Sequence, residues 1–134
     1  MYISTKKLLE LSEQYYKSLK SVICPSLDTT IKFNRHGWNH LIYDGTGHRR
    51  SEVQIRLRLF LLKDVKQAIR NHKGYPETLI KKVQISKKEL DVTYVEINHQ
   101  LKNNKYLKVI IRKFPEGEYH YYSVRRGRRT KNPL

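Results

Sequence analysis

The dominant hydrophobic period of this chain changes in its last half, after Gly74–Pro76. Before that point apolar residues recur at helical spacing. After it they alternate, as strand residues do. A chain that runs helices first and strands last folds as α+β, and the sequence predicts N-terminal helices packed on one face of a roughly four-stranded antiparallel sheet. Residues 5–22 read as a helix, capped by Ser4 or Thr5, striped by Leu8, Leu9, Leu11, Tyr15, Leu19 and Val22, and ended by Pro25. Thr29–Phe33 reads as a short strand and His36–Ile42 as a short helix. Residues 51–70 form the strongest helical pattern, with Ser51 as N-cap. Strands are expected at Leu79–Ile85, Val92–Leu101, Tyr106–Lys113 and Tyr119–Arg125. In the last of these, strict alternation puts His120, Tyr122 and Val124 on one face and Tyr119, Tyr121 and Ser123 on the other. The 134 residues fit one domain: an N-terminal helical segment (1–28), an α+β core (30–124) and a basic tail (125–134).

Charge narrows the partners. The chain has 28 Lys and Arg against 12 Asp and Glu, a formal net charge of +16. Residues 1–30 contribute +1, residues 31–74 +7 and residues 75–134 +8. Such an excess favours a polyanion as partner, with RNA foremost. No apolar run is long enough to span a bilayer, and no apolar stretch follows the first charges as in a signal peptide, so a cytoplasmic protein without membrane attachment is expected. Cys24 is the only cysteine, which leaves no intrachain disulfide and no cysteine-based zinc cluster.

Three segments carry residues capable of chemistry. His36 and His40 stand at i, i+4, a zinc-ligand spacing, but without the HExxH context or a third ligand nearby. Together with His48, Arg35, Arg49 and Arg50, they instead suggest an imidazole able to move protons near neutral pH beside guanidinium groups. Arg49, Arg50, Arg56 and Arg58 cluster at the start of the long helix, where guanidinium forks suit a phosphate. Among them Arg56, with apolar neighbours, reads as positioned and Arg58 as solvated. The last strand sets His120, Tyr121, Tyr122 and Ser123 directly before Arg125, Arg126, Arg128 and Arg129. Here aromatic faces can stack bases and basic groups can hold phosphate, although strand tyrosines are also ordinary core residues. Arg112 of the preceding strand belongs with the phosphate-binding set. The acids form no tight cluster for a two-metal site, so no metal or other cofactor is expected.

The segments FNRHGWNHLI, SEVQIRLRLFLLKDVKQAI and VIIRKFPEGEYHYYSVRRG together resemble the barnase–EndoU–colicin–RelE nuclease superfamily, especially the small versions carried by phages and other mobile elements. The likeness spans about residues 30–127. It implies a metal-independent, toxin-like endoribonuclease that uses the substrate's own 2′-hydroxyl as nucleophile and leaves a 2′,3′-cyclic phosphate. It also implies an acidic antitoxin or immunity protein as partner. Carried onto this chain, it makes His40 the general base or acid. Arg50 and Arg56 hold the phosphate; apart from the resemblance, His36, Arg49 and Arg112 join the phosphate-binding set on their residue types. His120 or Tyr122 completes the acid/base pair, and Ser123 bonds a phosphate oxygen. In a regular strand Ser123 faces away from His120 and Tyr122, so the three act together only if a bulge intervenes. Two other readings remain open: a non-catalytic RNA- or DNA-binding module, and a regulator that binds a protein through its basic face.

Overall fold

The computed structural model describes residues 2–127, so Arg128 and Arg129 lie outside the described residues. The architecture is α+β. Helix α1 (Thr5–Leu19) leads into strands β1 (Ser21–Cys24) and β2 (Thr29–Lys32). Helices α2 (Arg35–Ile42), α3 (Glu52–Leu61) and α4 (Val65–Arg70) follow, and strands β3 (Glu77–Ile85), β4 (Lys88–Gln100), β5 (Tyr106–Lys113) and β6 (His120–Gly127) complete the chain.

The sheet departs from the expected four antiparallel strands. It has six, in the order β1-β2-β6-β5-β4-β3, and it is mixed, because β2 runs parallel to β6. The two extra strands come from residues 21–32. The helix expected over 5–22 stops at Leu19, where Lys20 takes a φ of 55°. Val22 and Cys24 are then buried while Ile23 between them is exposed, a period of two that makes β1 a strand. A 3₁₀ turn over Pro25–Leu27 and a left-handed Asp28 close the β1–β2 hairpin.

The helix expected over 51–70 is also divided. A 3₁₀ turn at Leu62–Asp64 separates α3 from α4. Ile55 and Leu59 enter the core from α3, and Val65, Ala68 and Ile69 from α4. The tighter turn re-aims an apolar stripe too broad for one straight helix to bury. Val95 and Ile97, Leu107, Val109 and Ile111, and Tyr121 and Val124 line the core face of β4, β5 and β6.

Two details of this frame position the site. First, β2 meets β6 through the pair Lys32–His120, and α2 packs against β6. Gly37 makes that approach possible, since a Cβ there would stand 2.6 Å from the Tyr121 carbonyl oxygen and from the Tyr16 hydroxyl. Second, β6 carries a bulge. Ser123 pairs with Ile110 and Tyr121 with Ile111, so Tyr122 has no opposite residue on β5. This corrects the expected alternation: Tyr121 and Val124 both turn to the core.

Candidate phosphodiester site

Helix α2 starts at an Asn34 cap, whose side chain accepts from the His36 amide at 3.1 Å. One turn past Gly37, His40 lies flat on Tyr122, with ring centroids 4.1 Å apart and 20° between planes. The loop after α2 then folds back. Asp44 accepts from the amides of Thr46 and His48, and the Arg50 amide donates to the Ile42 carbonyl at 2.8 Å. That return brings Arg50 beside His40. Its Nε donates to the His40 carbonyl at 3.0 Å, and its Nη2 stands 3.2 Å from His40 Nε2. A guanidinium only donates, so His40 presents a lone pair at Nε2.

Arg58 reaches the same place from α3. Its Nη1 donates to the Val124 carbonyl at 2.7 Å and to Ser123 Oγ at 3.3 Å. Arg112 comes from β5, its guanidinium carbon 4.0 Å from the centre of the Tyr122 ring and its Nε donating to His120 Nε2 at 3.1 Å. His120 is buried, its Nε2 is occupied by Arg112, and the His36 ring lies 5.2 Å away. These contacts make His120 a positioning residue for Arg112. A cleft of about 520 Å³ opens over this group, lined by His40, Arg58, Tyr94, Tyr122, Ser123 and Arg125 among others.

Burial, and then the positive charges of Arg50, Arg58 and Arg112, hold His40 down to about 4. His120 is also held at about 4, by burial and then by Arg112 and His36. Both rings are therefore neutral at pH 7. Burial pushes the Tyr122 phenol above its usual value, so it keeps its proton. A neutral imidazole and a protonated phenol thus stand in contact within a field of three guanidinium groups. The first can accept a proton, the second can donate one, and the arginines can hold an anion.

The structure gathers His36, His40, Arg50, Arg112, His120, Tyr122, Ser123 and Arg125 around or beside this cleft. Arg56 stands apart. Its guanidinium donates to the Ile3 carbonyl at 2.7 Å and lies over the Tyr2 ring at 4.7 Å. Arg49 lines a separate cleft between α1 and α3, with Trp38 and Glu52. Arg126 is exposed, and His48 is engaged with Thr46 at 2.7 Å. The arginine of α3 that meets Ser123 is Arg58, contrary to the expectation that Arg58 is solvated and Arg56 positioned. Arg56 and Arg58 flank opposite borders of the Ile55–Leu59 stripe, and only the docking of α3 decides which border meets β6. Tyr94, whose ring edge meets Tyr122 at 6.1 Å, was not singled out from the sequence at all.

No family model, curated protein or solved structure matches this chain. Its chemistry therefore rests on the site itself. Among the described residues no helix is long and apolar enough to cross a membrane.

Proposed function

We propose that this protein is a metal-independent endoribonuclease. The observation that carries the reading is the His40–Tyr122 stack, which lines the cleft together with Arg58 and is flanked by Arg50 and Arg112. A scissile phosphodiester over Ser123 draws the arginines onto its non-bridging oxygens and frees His40 Nε2 from Arg50. Its negative charge also offsets the field that holds the imidazole down, and so raises the proton affinity of His40 as the substrate binds. His40 takes the proton of the 2′-hydroxyl, and the 2′-oxygen attacks phosphorus. The bond from phosphorus to the 5′-oxygen then breaks, and the Tyr122 hydroxyl supplies the proton that the leaving oxygen needs. The proton held on His40 passes to solvent, and solvent returns one to the Tyr122 phenolate. The products are a 2′,3′-cyclic phosphate and a 5′-hydroxyl, and the guanidinium groups stabilise the phosphorane between them. An acidic neutralising protein is the partner such an activity calls for.

Incubation with total RNA in EDTA, followed by end-group analysis, tests the proposal. Fragments ending in 2′,3′-cyclic phosphate are expected. Intact RNA with a salt-sensitive gel shift would replace this reading with a binding module.

A further inference from the structure

Two acidic side chains sit in a cleft that is otherwise basic. Glu96 and Glu77 are register partners across β4 and β3, and both line the cleft that holds His40 and Ser123. Glu96 is ion-paired with Lys108 of β5. The Glu77 carboxyl shares a hydrogen bond with Glu96, which together with the Glu96 charge pushes it up. The register continues across the sheet, with Glu96 opposite Ile110 and Ile110 opposite Ser123. Glu77, Glu96, Ile110 and Ser123 thus form one row across four strands, with acid at the β3 end and the arginine-held Ser123 at the β6 end.

The next row along β4 holds Tyr94, opposite Arg112 of β5, which in turn pairs with His120. The Tyr94 ring touches Tyr122 by its edge, and Lys81 lies 5.6 Å from its centre. Lys81 is exposed, so a flat ligand displaces it easily. The cleft therefore has two unlike halves. On the β5–β6 half stand Ser123 and Arg125, with Arg58 reaching in from α3, and these suit phosphate. On β4 and β3 stand Tyr94, Lys81 and two carboxyls; Lys108 offsets the charge of Glu96, and the free carboxyl oxygens accept N–H donors. Two strand spacings, roughly 10 Å, separate the Glu96 and Ser123 positions. A nucleotide covers that span from its phosphate to the far edge of its base.

We infer that single-stranded RNA lies across this sheet with its phosphates on the β5–β6 half and a base on the β4–β3 half. That base stacks on Tyr94 and turns its amino group to Glu96 and Glu77. The inference rests on the reading of the cleft as an RNA site and adds what that site selects. Duplex RNA is excluded, because a paired base cannot reach Tyr94 or offer its amino group. Uracil is disfavoured, because it has no amino group and points two carbonyl oxygens toward the carboxyls.

The test is equilibrium binding in EDTA to the full-length His40→Ala chain, which keeps the arginines and removes the proposed base. The probes are fluorescent ten-residue oligo(A), oligo(C) and oligo(U), and oligo(A) annealed to oligo(U). Oligo(A) and oligo(C) are expected to bind at least about fivefold tighter than oligo(U), and the duplex to bind more weakly than oligo(A). Adding Glu77→Gln and Glu96→Gln together should erase the preference over oligo(U). Adding Tyr94→Ala should weaken oligo(A) at least about fivefold, while Tyr94→Phe leaves it unchanged. Equal binding of all three single strands would overturn the inference and leave the RNA site standing. So would a preference that survives both glutamine substitutions. Failure of every probe to bind would overturn the inference and the proposed function together.

Discussion

The His40 imidazole and the Tyr122 phenol lie in face-to-face contact, their centroids 4.1 Å apart, although the two residues stand 82 positions apart in the chain. The stack makes both groups testable singly. His40→Ala is expected to lower cleavage in EDTA by about 10²–10⁴-fold, the usual worth of a positioned acid or base. Tyr122→Phe keeps the ring and removes the proton, so it should slow cleavage while leaving RNA affinity and the thermal midpoint near wild type. Wild-type cleavage rates in Tyr122→Phe would remove that hydroxyl from the mechanism.

The depressed proton affinity of His40 sets a pH signature. With His40 held at about 4, the acid limb of kcat/KM in the free enzyme should fall near pH 4 and not near the ordinary 6.5. Removing a neighbouring cation relaxes the field, so Arg50→Ala should move that limb upward. A limb already near 6.5 in the wild type would contradict the electrostatics of the site.

The same two histidines link stability to pH. His40 and His120 bind protons less readily folded, at about 4, than unfolded, at 6.5. Between those values the unfolded chain holds more protons, so acidification favours unfolding. The thermal midpoint should therefore fall as pH drops from 6.5 to 4, and this contribution should level off below 4. In the His40→Ala, His120→Asn double variant the drop should shrink, as differential scanning calorimetry at several pH values can show.

Arg56 and Arg58 should separate cleanly. Arg58→Ala removes a charged hydrogen bond to the Val124 carbonyl and the contact with Ser123. It should lose about 1.5–3 kcal/mol of stability along with most RNA affinity. Arg56→Ala breaks contacts with Tyr2, Ile3 and Thr5 and should leave cleavage intact. Parallel urea melts and cleavage assays decide the matter, and the reverse pattern would restore Arg56 to the site.

Gly37→Ala forces a methyl group into the Tyr121 backbone and the Tyr16 hydroxyl. Overpacking of this kind costs about 1–3 kcal/mol. Because the same contact seats His40 over Tyr122, cleavage should fall further than the loss of folded protein explains. Comparing activity per folded molecule with the urea midpoint measures the two effects.

Local patterning is enough for the α+β class and the strands after Gly74, because the period of two in residues such as Leu107, Val109 and Ile111 is a local property that burial on one face enforces. The sequence also marked His40, Tyr122 and Ser123, whose residue types suit proton transfer and phosphate binding wherever they stand. It did not show β1, since four residues carry too little pattern to outweigh the helix before them. The choice between Arg56 and Arg58 was closed to it as well, because the two differ only in which border of one stripe meets β6. Nor could it place the bulge: alternation assigns Tyr122 and Ser123 to opposite faces, and the shifted register between β5 and β6 exists only once both strands are paired. These points follow from the long-range packing of α2 and α3 on β6, which also settles which side chains share a cleft.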